Sequence, residues 1–365
     1  MGLKTTRGDA GGAVKGRGAT SNLEGRYEAF ARERADDGWE REEEALPPLK
    51  TVVTEERAKS IISRNDSPDV GFDQSINPYR GCEHGCNYCF ARPTHAYLGL
   101  SPGLDFETRI FAKTNAAELL RRELATPGYR CSPIAIGVNT DAYQPAEREL
   151  RITRSVIEVL AGCEHPFTLI TKSALIERDI DLIAPAAAKR LTRAAVSVTN
   201  YDAALARKLE PRAAAPYRRI ETIRRLADAG VPVCVMVAPI IPFVNDRHME
   251  EILERAREAG ATSAGYVLLR LPHELAPLFK DWLATHYPLK ADHVMSLVRE
   301  VRGGKDYDSR FGIRQSGTGN LAELIGRRFE LACKRLGLNG DDWRDEPLDT
   351  SRFRPPRTGP QLDLF

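Results

Sequence analysis

The chain lacks a stretch long and apolar enough to span a bilayer. Its most apolar run, VPVCVMVAPIIPF (231–243), is cut by prolines, and its valines and isoleucines suit a buried strand. The first 23 residues carry charges and glycines but no apolar segment of the signal-peptide kind. These two absences predict a cytoplasmic protein with no membrane partner. An excess of one charge is also missing, with 53 Lys+Arg against 51 Asp+Glu. Global electrostatics therefore demand no polyanionic partner, although local basic patches stay open. The cysteines number seven, an odd count in a chain of 365 residues. That argues against a small disulfide-stapled secreted domain and for a reducing compartment. No segment repeats another in sequence.

What is present is a long alternation of apolar runs and amphipathic segments. Residues 1–50 read as a flexible extension, rich in Gly and Lys/Arg to about residue 22 and then acidic; LPPLK (46–50) closes it. The core is expected over 51–305. SINPYRG reads as a first strand and NAAELLRRELAT (115–126) as a helix capped by Thr114. Then come the strand SPIAIGVNT, the helix RSVIEVLAGC, the strand FTLITKS, the helix ERDIDLIAPAAA and the strand AAVSVTN. The helix PYRRIETIRRLADAG, the strand VPVCVMVAPI, the helix MEEILERAREAG and the strand SAGYVLLR follow. Near-continuous apolar strands between amphipathic helices indicate a parallel sheet covered by helices. Six such units, where a closed barrel has eight, predict an α/β fold of the partial (β/α)6 barrel type. A C-terminal helical segment is expected over 306–345 and a disordered tail over 346–365.

Three cysteines stand out in GCEHGCNYCF (81–90): Cys82, Cys86 and Cys89. They follow directly on the first strand, and the C-terminal strand ends of parallel α/β folds carry the chemistry. Gly81 and Gly85 let the backbone turn around a bulky ligand. A structural zinc site would need a fourth ligand, for which His84 and His95 are available, but zinc ribbons pair two CxxC knuckles and the chain has no second one. The alternative is an iron–sulfur cluster. Such a cluster takes four thiolates when fully ligated, so three leave one iron open to a substrate or cosubstrate.

Cys82-x3-Cys86-x2-Cys89, with Tyr88 before the last cysteine, resembles the signature of the radical S-adenosylmethionine (SAM) enzymes. NPYRGCEHGCNYCFAR, NTDAYQPAE, LITKS, VSVTN, LEPRAAAPYRRIETIRRLADAG and VAPIIPFVND together resemble the spore photoproduct lyase-like branch, over roughly residues 70–270. KGRGATSN (15–22) before GRYEAF is similar to a leader of bacterial members of that branch. The resemblance implies a [4Fe–4S] cluster held by the three cysteines and chelation of SAM by the open iron. It also implies electron transfer from a flavodoxin- or ferredoxin-type reductant, and a 5′-deoxyadenosyl radical that abstracts hydrogen from substrate. It implies that Lys172 salt-bridges the carboxylate of SAM. Asn139, Thr140 and Asp141 stand where many such enzymes carry a Gly-Gly-Glu triplet for the SAM amino group. Ser197 and Thr199 are expected to contact the ribose, and Pro239 to flank the adenine. The branch's hydrogen-donor cysteine aligns near Val138, not at Cys131, which the sequence places at the opposite end of its strand and assigns to structure. Cys163, Cys234 and Cys333 read as ordinary helix and strand cysteines. Tyr143 and Gln144 are further candidates for substrate contact at the barrel mouth, and Tyr266 is expected on the sixth strand.

The branch favours damaged or modified nucleic acid as substrate; radical modification of a protein or small molecule is the alternative, and a zinc-stabilised binding module a third. The tail ends in QLDLF: Gln361, Leu362, Asp363, Leu364 and Phe365. Apolar groups after a basic, proline-containing linker suit a partner's pocket better than solvent. The pentapeptide resembles the one by which bacterial polymerases and repair factors dock on the DNA sliding clamp.

Overall fold

A computed structural model describes residues 14–28, 49–340 and 347–356. Six parallel strands form its centre: β1 (Gln74–Ile76), β2 (Ile134–Ile136), β3 (Phe167–Thr171), β4 (Thr192–Ser197), β5 (Val233–Ile240) and β6 (Ser263–Leu268). They lie in chain order, and the strand Ile62–Arg64 is added antiparallel outside β1. Each crossover is helical: α1 (Ala116–Leu124), α2 (Ile152–Gly162), α3 (Ile180–Ala188), α4 (Pro216–Asp228) and α5 (Met249–Glu258). After β6 the long helix α6 (Asn320–Leu336) packs beside α5. Arg328 holds Glu250 and Arg335 holds Glu254 across that contact.

The pattern of strands and helices is the one that the apolar runs predict. Val233, Val235 and Val237 of β5 are fully buried in the core shared with Ile223 and Leu226 of α4, while Cys234 and Met236 between them are half-buried. One face of the sheet is thus sealed by helices and the other borders the barrel interior.

The boundaries differ where local polar chemistry intervenes. SINPYRG is two strands, not one: the break falls at Asn77–Pro78, and Tyr79–Arg80 joins a separate small sheet with Val52–Glu56 and Arg109–Lys113. Thr114 does not cap α1. Asn115 occupies the cap position, but its side chain bonds the backbone of Ala58 on both sides.

Among the described residues the sheet does not close on itself; β6 and Ile62–Arg64 are its two edges. Residues 312–315 link the end of β6 to Asp69 in the loop between Ile62–Arg64 and β1. Leu268 N donates to Gln315 O at 2.8 Å. Gln315 Nε2 donates to Asp69 O at 2.9 Å, Gly312 N donates to Asp69 Oδ1 at 2.6 Å, and Arg314 pairs with the same carboxylate. Asn339 covers the free edge of β6, accepting from Ala264 N at 2.8 Å and donating to Ala264 O at 3.0 Å. Both devices satisfy strand groups that would otherwise be open to pairing with another chain.

Residues 14–28 correct the expectation of a disordered leader, because residues 17–20 are buried against the core. No helix among the described residues is long and apolar enough to cross a membrane. The QLDLF residues, 361–365, lie outside the described residues, as does most of the acidic stretch.

Candidate active site

The loop after Tyr79–Arg80 carries all three cysteines, at the C-terminal end of the parallel sheet. Cys82 and Cys86 are buried and Cys89 is partly exposed; none forms a disulfide. A loop of this kind has no ladder to satisfy its backbone, so local turns, neighbouring backbone and side chains must do it. Arg92 donates from Nε to Cys86 O at 2.8 Å and from Nη2 to Gly85 O at 3.1 Å. Its Nη1 bonds Gly103 O at 2.8 Å and Pro102 O at 3.1 Å. Gln144 accepts from Glu83 N at 3.0 Å and donates to Gly81 O at 3.2 Å. Asn87 N donates to Leu209 O and Arg212 N to His84 O, which seats the loop on the segment after β4.

Arg92 is fully buried and so is its counter-ion, Glu107, 2.5 Å away. The remaining acceptor capacity of Glu107 takes the backbone N–H groups of Gly18 (2.9 Å) and Ala19 (2.7 Å). These bonds help to order the leader, together with Asn22 on Asp105 and Arg26 on Glu274. Arg17 adds a bond to Glu107 O at 3.0 Å. Gly85 has φ +65°, and a Cβ there would lie 2.6 Å from Glu107 Oε2; a Cβ on Gly18 would fall 1.7 Å from Gly85 O. Glycine is required at both positions.

Asp141 joins three elements. Its Oδ1 accepts from Tyr143 N (2.9 Å) and Thr171 Oγ1 (2.7 Å), its Oδ2 accepts from Lys172 N (2.8 Å), and the His84 ring lies 3.2 Å from Oδ2. Burial opposes its charge, yet His84 and these donors hold its pKa down at about 2. Thr140 is buried and donates to Tyr79 O at 3.0 Å, while the Asn139 and Thr140 amides donate to Asn77 Oδ1. Within the expected cosubstrate triplet, Thr140 and Asp141 therefore have their polar groups engaged in the rim itself. The Asn139 side chain alone has no hydrogen-bond partner among the described residues.

Beneath the loop lies a second buried charge pair. Glu210 pairs with Arg219, and both Tyr88 Oη and Thr199 Oγ1 donate to Glu210 Oε1, Thr199 at 2.5 Å. Arg219 also bonds Ser197 O at 3.0 Å and Ala214 O at 2.7 Å. Burial disfavours the Glu210 carboxylate, but Arg219 and Lys172 hold its pKa at about 2. Thr199 thus serves this network, whereas the Ser197 hydroxyl has no hydrogen-bond partner among the described residues. Asn245 ties the ends of β4 and β5, donating to Thr199 O at 2.8 Å and Pro239 O at 2.9 Å. Lys172 stands at the end of β3 with Nζ 5.9 Å from the Tyr88 ring centre.

Two further candidates sit elsewhere than expected: Tyr143 and Gln144 are buried, Gln144 as a clamp on the cysteine loop. Tyr266 lies on β6, as expected, and packs on Phe329 of α6, centroids 4.8 Å apart. Cys131 precedes β2, at the end opposite the cysteine loop.

The donor set suits an iron–sulfur cluster. Burial, then Asp141 and the other two cysteines, push the Cys82 thiol well above its ordinary range. Burial, then Glu210, push Cys86 up to about 12 against the pull of Lys172. Thiolates in so apolar a setting need a cationic centre to persist. Among the described residues no three His, Cys, Asp or Glu side chains converge as a single metal ion requires. A four-iron cube binds each thiolate to a different iron and so accepts a wider spacing.

Comparison with known proteins agrees with this reading. Residues 76–256 match the model of the radical SAM superfamily. An uncharacterised protein of Mycobacterium tuberculosis strain H37Rv is 39% identical over 230 residues, covering 62% of this chain and 68% of that one. The chain belongs to the radical SAM superfamily and is an enzyme that uses a [4Fe–4S] cluster and SAM. A second relative, an uncharacterised protein of Methanocaldococcus jannaschii, is 25% identical over 241 residues, with 66% of this chain and 85% of that one covered. The fold is similar to that of a doubly substituted spore photoproduct lyase with bound SAM and dinucleoside spore photoproduct: TM-score 0.54, 14% identity, 79% and 80% coverage.

Sequence reasoning missed Arg92, Glu107, Glu210 and Arg219. The last two lie inside LEPRAAAPYRR, and their opposite charges in a segment flanked by apolar strands were the available signal. The buried pair generates a prediction. Glu210→Gln leaves Arg219 buried and unpaired, a loss of about 3–5 kcal/mol at pH 7. The wild-type carboxyl has a folded pKa near 2 against an ordinary value of 4.5. Its contribution is therefore present above pH 4.5 and lost as pH falls towards 2. Denaturant unfolding of both proteins from pH 7 to 2.5 should show the gap narrowing below pH 4.5.

Proposed function

We propose that Cys82, Cys86 and Cys89 hold the cluster, and that the enzyme acts on nucleic acid carrying a damaged or modified base. The observation that carries the site assignment is the placement of three thiols on one clamped loop, with the Lys172 ammonium over Tyr88 beside them. When bound, a three-thiolate cluster supplies one electron to SAM and so a carbon radical able to take hydrogen from a substrate. The protein's own residues orient the cosubstrate and exclude water. Lys172 meets the carboxylate of SAM as a point charge. The Asn139 side chain and the Ser197 hydroxyl, both without a hydrogen-bond partner among the described residues, take its amino and ribose groups. Arg92, Gln144 and Glu107 keep the loop rigid, so that little reorganisation accompanies binding. A one-electron reductant of flavodoxin or ferredoxin type completes the cycle.

Two features support nucleic acid as the substrate class: the fold shared with an enzyme whose structure holds a dinucleoside spore photoproduct, and the QLDLF tail. Anaerobically reconstituted, reduced enzyme incubated with SAM and ultraviolet-irradiated DNA should form 5′-deoxyadenosine and deplete a thymine photolesion, followed by mass spectrometry. Cys86→Ala should do neither. Cofactor cleavage without lesion loss removes the proposed substrate, and cleavage retained in Cys86→Ala removes the ligand assignment.

The tail reading is that Gln361 enters a small polar pocket of a sliding clamp while Leu364 and Phe365 fill its apolar cleft. Tethering would raise the enzyme's effective concentration on DNA. A labelled peptide of residues 355–365 should bind the bacterial clamp with micromolar affinity, on the order of −8 kcal/mol. The same peptide with Leu364→Ala and Phe365→Ala should not. Equal binding of the two, or binding by neither, excludes the clamp.

A further inference from the structure

The chain is nearly neutral overall, but its cations are not evenly spread. Two cavities adjoin on the outside of the barrel, at the sheet edge formed by Ile62–Arg64. One, of about 350 Å³, is lined by Arg57, Lys59, Arg80 and Lys113. The other, of about 530 Å³, is lined by Lys59, Arg64 and Arg122. They share Lys59 and Ser60, so they form one groove with six cations and two carboxylates, Glu56 and Glu123.

Both carboxylates are already committed. Arg80 holds Glu56 through two bonds of 3.0 Å. Glu123 accepts the backbone N–H groups of Ile61 at 2.7 Å and Ile62 at 3.1 Å. Arg57 reaches Glu118 only at 3.6 Å, with both side chains exposed. Among the described residues, no carboxylate pairs with Lys59, Arg64, Lys113 or Arg122. Lys113 is half-buried, and burial followed by the Arg80 charge lowers its pKa. The groove therefore holds more positive charge than the protein neutralises.

Its course is set by the fold. Ile62 pairs with Ile76 and Arg64 with Gln74, so the groove runs along the sheet's free edge from the C-terminal to the N-terminal end of β1. Its upper end is Arg80, which directly precedes Gly81 and Cys82. Cations spaced along an edge, with Tyr129 the one aromatic residue beside them, suit a series of phosphates rather than the bases.

We propose that this groove binds the phosphodiester backbone of a nucleic-acid strand and leads it past the sheet edge to the cysteine loop. The proposal rests on the nucleic-acid reading above. Its ligand is the backbone, so sequence has little effect and salt a large one.

The test is fluorescence anisotropy of a labelled 20-nucleotide DNA strand with the reconstituted enzyme at several salt concentrations, beside a Lys59→Glu/Arg122→Glu variant. Both substituted residues lie outside the cysteine loop and its clamps, so SAM cleavage should be unchanged and reports that the variant is folded. The variant should bind about tenfold or more weakly, and its log K against log salt slope should be shallower by roughly 1.4, for two lost phosphate contacts on a single strand. Lys113→Met, which removes charge without adding any, should weaken binding in the same direction. Equal affinity and slope in all three proteins overturns the groove while leaving a nucleic-acid substrate standing. Binding of DNA by none of them overturns both. DNA binding that follows the groove, without lesion loss in the irradiated-DNA assay, supports the groove and counts only against the proposed chemistry.

Discussion

A loop that carries three cysteines over the ends of a parallel sheet is neither strand nor helix, and the rest of this site follows from that constraint. Residues 81–90 have no ladder of their own, so their carbonyls and amides must find partners in local turns, in neighbouring backbone such as Phe106 and Leu209, and in side chains. Arg92 and Gln144 are the side chains that bond them. A guanidinium that binds four carbonyls in the interior needs a counter-ion, and Glu107 provides it. That carboxylate then has acceptor capacity left over, which captures the leader at Gly18 and Ala19. One requirement of the loop is thus transmitted outward through a buried pair to a segment about 90 residues away in sequence.

The floor of the site repeats the device. Glu210 and Arg219 are buried together, and the pair fixes Tyr88, Thr199 and the end of β4 in a single network. Asp141 does the same for the ends of β2 and β3. Such pairs add little net stability, because desolvation offsets attraction. Their value here is positional: each carboxylate accepts several donors at fixed angles, so the strand ends are held in one arrangement. Among the described residues, the side chains of Asn139 and Ser197 keep unpaired polar groups on that rigid frame, and Lys172 stands over Tyr88 beside them.

Much of this was legible in the chain. The strand and helix order follows from apolar runs such as VPVCVMVAPI and from helices closed by Gly230 and Gly260, both at positive φ. The spacing of Cys82, Cys86 and Cys89 singled out the loop that the structure places at the C-terminal end of the sheet. Less legible were choices that depend on distant partners. Asp141 and Thr199 carry suitable polar groups for a cosubstrate, but strand-end neighbours claim them first. Asn77–Pro78 broke a strand that periodicity joined, because proline removes a ladder donor. The leader's composition is that of a disordered segment, and partners distant in sequence order it: Glu107 at Gly18 and Ala19, Asp105 at Asn22 and Glu274 at Arg26, which no local pattern announces. Gln144 beside Tyr143 looked like a mouth residue because it follows a strand end; the sharp turn after Asp141 sends it inward instead.

The central claim is that the three clamped thiols hold a four-iron cluster with one open iron. Its most direct measurement is metal and sulfide content with visible absorption on protein reconstituted without oxygen. The account predicts about four iron and four sulfide per chain and a brown colour that bleaches with reductant. One zinc per chain, no sulfide and no visible absorption would contradict it.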